Sequence, residues 1–232
     1  MLSNPLRQSR FSAFCLAIAL LAALLASTPA RAASQTDASL SIFGTFTNST
    51  LGNSVYQRQA NAAGAMLELR HIVHPWMGFE ATYSFNRANQ NYTSTYVCPS
   101  QLISTCAPTA TASANAHEFT GDWVVSFKAL NLRPFALAGV GLLVDVPTGG
   151  NSIFNSSSSF GPPTILPLMT SNSFKPVFVY GAGFDWGLLP HIGLRFQYRG
   201  NVSKAAQLTN ALQSSQAFMN TSEPMIGAYF RF

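Results

Sequence analysis

Residues 77–85 read Met-Gly-Phe-Glu-Ala-Thr-Tyr-Ser-Phe. Met77, Phe79, Ala81, Tyr83 and Phe85 are apolar, and Gly78, Glu80, Thr82 and Ser84 between them are small or polar. Successive side chains of a strand point to opposite faces, so this stretch predicts a β-strand with one apolar and one polar face. The same period recurs downstream. Ile192, Leu194, Phe196 and Tyr198 alternate with Gly193, Arg195, Gln197 and Arg199. Phe119, Trp123, Val125 and Phe127 alternate with Glu118, Thr120, Asp122 and Ser126, with Val124 out of step.

Five further segments carry the pattern less regularly. Residues 39–46 set Leu40, Ile42 and Phe46 against Ser39, Ser41 and Thr45, with Phe43 interrupting; residues 64–72 set Ala65, Leu67 and Leu69 against Gly64, Glu68 and Arg70. Residues 135–143 and 176–186 are dotted with glycine and apolar on both faces. Residues 223–232 place Ile226, Ala228, Phe230 and Phe232 opposite Glu223, Gly227, Tyr229 and Arg231. Eight strands are predicted. Their connections alternate in length: short at His74 and Pro75, at 128–133 and at 187–190, long at 47–63, 87–116, 145–174 and 200–222. The long ones are rich in Ser, Thr, Asn, Gly and Pro, and include the serine run 156–159. A soluble sandwich has no reason to keep every other connection short, whereas outer-membrane barrels combine tight periplasmic turns with long external loops.

Composition agrees. The chain of 232 residues is 47% hydrophobic and only 9% charged, with 18 Phe, which excludes a disordered chain. One apolar run approaches the ~20 residues of a spanning helix, and it lies at the extreme N-terminus. The remaining apolar residues are dealt out every second position. In a membrane barrel these face lipid and the polar ones face the lumen, and the sheet must close because lipid satisfies no free edge. The expected fold is therefore all-β: a closed antiparallel eight-stranded up-and-down transmembrane β-barrel, integral to the cell outer membrane, with membrane lipid as its first partner.

Arg7 and Arg10 precede an apolar core at 14–26, and Ala30-Arg31-Ala32 supplies a small-x-small cleavage site. Residues 1–32 are read as a cleaved secretory signal peptide and residues 33–232 as the barrel. The core is short for a membrane anchor, and no lipobox-like run precedes Cys15. Losing Arg7, Arg10 and Arg31 lowers the formal net charge from +5 to +2, so the chain offers no basic patch for nucleic acid. Cys98 and Cys106 remain, seven residues between them in a polar stretch. In an oxidising compartment they are expected to form a disulfide; a zinc site would need further nearby Cys or His. No metal or cofactor motif is found.

The last strand ends in Gly227, Phe230 and Phe232, similar to the polar-x-Gly-x-x-aromatic-x-aromatic signal read by the barrel-insertion machinery, although Met225 stands where that pattern prefers a polar residue. With Arg133-Pro-Phe-Ala-Leu-Ala-Gly-Val-Gly141 and Tyr180-Gly-Ala-Gly-Phe184, this strand resembles the OmpA-like transmembrane domain family, the eight-stranded barrels that include opacity-type and OmpX-like proteins. The resemblance covers about residues 36–232 and specifies architecture better than function. A peptidoglycan-binding domain, present in longer members, is not expected after the eighth strand.

Most strand charges fall on the predicted lumen face: Glu68, Arg70, Glu80, Glu118, Asp122, Asp185, Arg195, Arg199, Glu223 and Arg231. Unpaired buried charge is expensive, so these are expected to pair as a polar plug; the alternative is a gated path for ions or small solutes. A lipid-modifying enzyme would need Ser, His and an acid within reach, and the spacing around His71, His74, His117 and His191 offers no such set. Trp76, Phe127, Phe135, Trp186 and Phe232 flank the short turns and are expected to form an interfacial girdle. The expected protein is a monomeric surface barrel, structural or interacting through its long loops with an unidentified external partner. A narrow channel is the alternative.

Overall fold

The computed structural model describes residues 35–74, 76–95, 109–154, 164–167, 169–209 and 212–232. The predicted signal peptide and both Cys98 and Cys106 lie outside the described residues. Eleven strands follow in order: β1 (Gln35–Thr47), β2 (Thr50–Gly52), β3 (Val55–Gln59), β4 (Ala62–His74), β5 (Met77–Ser94), β6 (Thr109–Ser126), β7 (Leu132–Phe154), β8 (Thr164–Pro167), β9 (Ser173–Gly187), β10 (Ile192–Lys204) and β11 (Phe218–Arg231). Among the described residues there is no helix.

Eight strands form a closed antiparallel ring in the order β1, β4, β5, β6, β7, β9, β10, β11 and back to β1. Closure runs through pairs such as Ser41 with Gly227 and Leu40 with Ala228, so no barrel strand has a free edge in lipid. Each predicted strand is found, and the three short turns join β4 to β5, β6 to β7 and β9 to β10. The β2–β3 hairpin turns at Asn53 and Ser54, both with positive φ, as two-residue hairpin turns favour, and β3 adds onto β5 above the membrane. β8 pairs with the end of β7.

The strands run well past their predicted ends. β5 continues nine residues beyond Phe85, and β6 begins at Thr109 rather than 118. The cause is a change of phase. Up to Phe85, β5 points Phe79 and Phe85 outward and Glu80, Thr82 and Ser84 inward; beyond it, Arg87 and Asn89 point outward and Ala88, Gln90 and Tyr92 inward. β6 mirrors this, with Ala110, Ala112 and Ala114 inward above and Glu118, Thr120 and Asp122 inward below. Burial still alternates, but hydropathy no longer reports it.

The residues that broke the period now have places. Val124 points into the lumen and packs with Phe135, Leu137, Val177 and Val179. Phe43 and Met225 are paired across β1 and β11, and both pack inward on Met66. Phe135 corrects the girdle assignment. It is buried inside the barrel, because residues 135–143 are apolar on both faces and alternation there could not choose a side. Trp76, Phe127, Trp186 and Phe232 do face outward.

Candidate functional site

The interior is organised around arginines from β10 and β4. Arg195 lies 2.8 Å from Asp37, 3.1 Å from Glu68 and 2.7 Å from Asp185, with Glu80 at 3.7 Å. Arg70 lies 2.5 Å from Glu80 and 3.2 Å from Asp185, and its guanidinium stacks 4.0 Å above the ring of Phe135. Arg199, two strand repeats above Arg195 on the same face, reaches Asp122 at 3.1 Å, Glu80 at 3.6 Å and Glu118 at 3.9 Å. Ser39 donates to Glu68, and Asn201 donates to Glu118 at 3.0 Å. Higher still, Lys175 on β9 pairs with Asp145 on β7 at 2.8 Å.

Arg70, Arg195 and Arg199 are all fully buried, so their side chains occupy the barrel cross-section. Space for them comes from glycine opposite. A Cβ on Gly139 would lie 2.0 Å from Oδ1 of Asp122, so a side chain there would displace that carboxylate from Arg199. Taking these charges out of water costs several kcal/mol per ion, and only mutual pairing with good geometry repays it.

Nine of the ten residues expected in the network lie in the interior, but they do not all pair. Glu223 is buried beside Asn201 and Glu118 in a small polar cavity, and its Oε2 has no hydrogen-bond partner. Arg231 does not join the network; it lies half-buried at the periplasmic mouth against Tyr229. It stands too near the strand end to be enclosed. Sequence reasoning missed Asp37, Asp145 and Lys175, which lie just outside the stretches where hydropathy alternates. With them included, all eight acidic residues of the chain are buried in the barrel. No carboxylate side chain is left for the outer surface.

The extracellular end of the interior is built differently. Val55, Tyr92, Ala110, Ala112, Ala114, Ala206 and Leu208 form an apolar cluster, with Leu212 packed on it. Ala206 and Leu208 belong to the connection from β10 to β11, which folds inward instead of projecting. It is tied there by polar contacts: Tyr92 and Gln57 each donate to the Ala206 carbonyl at 2.9 Å, and Ser215 N donates to Gln57 at 3.1 Å. Thr50 and Ser215 hydroxyls meet at 2.7 Å.

The other residues singled out in the sequence have structural surroundings of their own. A Cβ on Gly227 would lie 2.1 Å from Ser41 Oγ, so the seam between β1 and β11 requires a glycine there; Phe230 and Phe232 face outward. Three histidines bond away from any serine: His71 to Thr36 at 2.8 Å, His117 to Tyr83 at 2.9 Å, and His191 to the Arg231 carbonyl at 2.9 Å. Among the described residues no group of His, Cys, Asp and Glu is arranged to hold a metal.

Similar folds are known. Neisserial surface protein A matches with a TM-score of 0.50 at 13% identity, over 85% of this chain and 97% of that one. OprG, an outer membrane protein from Pseudomonas aeruginosa, matches with a TM-score of 0.48 at 11% identity, over 85% and 96%. Ail from Yersinia pestis, the attachment invasion locus protein solved with the heparin analogue sucrose octasulfate, matches at 0.46 and 15% identity, over 86% and 99%. No curated protein matches the sequence. The model of the outer membrane protein beta-barrel domain matches residues 17–232. The chain belongs to that family, and it is an integral protein of the outer membrane.

Proposed function

We propose that this protein acts at the cell surface as a monomeric structural and interaction barrel, and conducts no solute. The observation that carries this reading is the filled interior. Three buried arginines and their carboxylates occupy the membrane level, and the β10–β11 connection packs into the extracellular end. An eight-stranded ring leaves little free cross-section even before these are placed. A nucleophile–base pair for lipid chemistry finds no support in the histidine contacts, so we assign no enzymatic role. Among the described residues, Lys128 apart, the exposed charged side chains are Arg58, Arg87 and Lys204 at the extracellular end, and every acid is enclosed. A partner approaching from outside meets cations alone, which favours a polyanion. Gly227, Phe230 and Phe232 would serve the insertion machinery before any of this.

The experiment is single-channel recording of the refolded barrel in planar bilayers, paired with binding of dextran sulfate to the same preparation. We expect electrical silence, and polyanion binding that weakens steeply with salt. Steady channel events in the unmodified protein would overturn the reading in favour of a narrow channel.

A further inference from the structure

The periplasmic mouth carries chemistry that the ion-pair network leaves unused. A pocket of about 420 Å³ opens there beside the β6–β7 and β9–β10 turns, lined by Gln35, Lys128, Arg133, Asp185, Tyr229 and Arg231. Three cations thus surround one carboxylate, and that carboxylate is already engaged by Arg195 and Arg70. Arg133 donates from Nη1 to Gln35 at 3.2 Å, and Arg231 reaches the Tyr229 hydroxyl at 3.5 Å. The Nε–H groups of both arginines, and Nε2 of Gln35, are buried with no hydrogen-bond acceptor. Arg133 itself is only 9% exposed. Buried donors without acceptors are costly, and three of them belong to side chains that line this pocket, where positive charge is in excess.

We propose that this mouth is a binding site for a phosphate ester, and that its occupant is the headgroup of an anionic phospholipid in the inner leaflet. A phosphodiester presents two anionic acceptor oxygens and a glycerol headgroup adds hydroxyl acceptors, so one headgroup can answer several cationic donors at once. Guanidinium forks match that geometry, and Lys128 adds a point charge at the rim. The surroundings favour a lipid over a free ester. Leu130, Leu188 and Leu189 on the same turns are 94%, 51% and 62% exposed, which puts apolar side chains beside the cations. Trp76, Trp186 and Phe232 mark the headgroup level at this end. The site is independent of whether the barrel conducts.

The test uses barrels refolded in nanodiscs of phosphatidylcholine containing a minor fraction of phosphatidylglycerol, with co-purifying lipid counted by native mass spectrometry. The unmodified barrel should retain phosphatidylglycerol preferentially, and R133Q/R231Q should lose that preference by about tenfold or more. R87Q, at the opposite end, should leave it unchanged. Arg133→Lys, which keeps the charge and loses the fork, should fall between. Heat-modifiable migration on gels checks that each variant is folded. In discs of phosphatidylcholine alone, glycerol phosphate is titrated by phosphorus NMR. Saturable binding lost in R133Q/R231Q would show that the same site admits a free ester. Equal phosphatidylglycerol retention by the unmodified and double-variant barrels would overturn the proposal, as would retention by neither.

Discussion

The lower and upper halves of this barrel are built by opposite rules. At the membrane level the outside is apolar and the inside holds Arg70, Arg195, Arg199 and their carboxylates. After Phe85 on β5, and in the residues of β6 that precede Asn115, the outside turns polar, and the inside becomes the cluster of Val55, Tyr92, three alanines, Ala206 and Leu208. One continuous pair of strands therefore crosses from an inverted protein into an ordinary one. Solvent dictates the switch. Lipid rewards apolar side chains outside and leaves the polar ones to satisfy each other within, while water rewards the reverse. The two cores also differ in what they tolerate. Ion pairs in low dielectric depend on every partner, whereas an apolar cluster loses stability in proportion to the contacts removed.

The largest expected effect breaks the lower core. Arg195→Ala removes the group shared by Asp37, Glu68 and Asp185 and leaves those carboxylates facing one another. Removing one partner of a buried pair typically costs about 3–5 kcal/mol. Urea unfolding of the barrel in lipid vesicles should show a loss of that size, and the vacated cross-section should raise conductance in planar bilayers. An unchanged unfolding midpoint with a closed barrel would mean that the network does not hold the lower half together.

A smaller effect locates the boundary between the halves. Ala81 and Asn89 both lie on the outer face of β5, one at the middle of the apolar stretch and one above it. Ala81→Arg should cost about 2–4 kcal/mol, as arginine does on the lipid face near the midplane. Asn89→Arg should stay within about 0.5 kcal/mol, as surface changes in water usually do. Equal costs at the two positions would move the boundary above residue 89.

What the sequence reveals follows the same division. Where lipid and lumen face each other across a strand, hydropathy alternates, and all eight strands and three short turns can be read. Where the phase reverses near 86–87 and 115–117, the alternation cancels and polar outward residues look like loop. Asp37, Asp145 and Lys175 lie beyond the readable stretches, so alternation does not reveal them although they pair like the rest. Phe135 points inward and not to the girdle, and its strand, apolar on both faces, gives no sign of which. Arg231 belongs to the mouth, since alternation gives a side chain its face and not its depth. The inward fold of the β10–β11 connection joins Tyr92 to Ala206 across the chain, and no local spacing encodes that contact.

The smallest effect tests whether the upper core is a unit apart. The Tyr92 hydroxyl donates to the Ala206 carbonyl at 2.9 Å and accepts from Leu208 N at 3.3 Å, so it pins the inward connection at two points. Tyr92→Phe keeps the ring in its apolar cluster, takes from Leu208 N its acceptor and leaves the Ala206 carbonyl to Gln57 alone. The expected cost is about 1–3 kcal/mol. If the halves are independent, that cost is felt locally: hydrogen exchange should quicken at Leu208 and its neighbours while amides around Arg195 keep their protection. Burial also pushes the Tyr92 hydroxyl above its usual range, because the phenolate would have to form among apolar side chains. The raised value stabilises the folded form below the ordinary tyrosine pKa, near 10, and that contribution falls away as pH climbs past it. Protection at Leu208 should therefore drop in alkali in the unmodified protein and lose that pH dependence in Tyr92→Phe. Faster exchange spreading to the Arg195 level would instead join the two halves into one cooperative body.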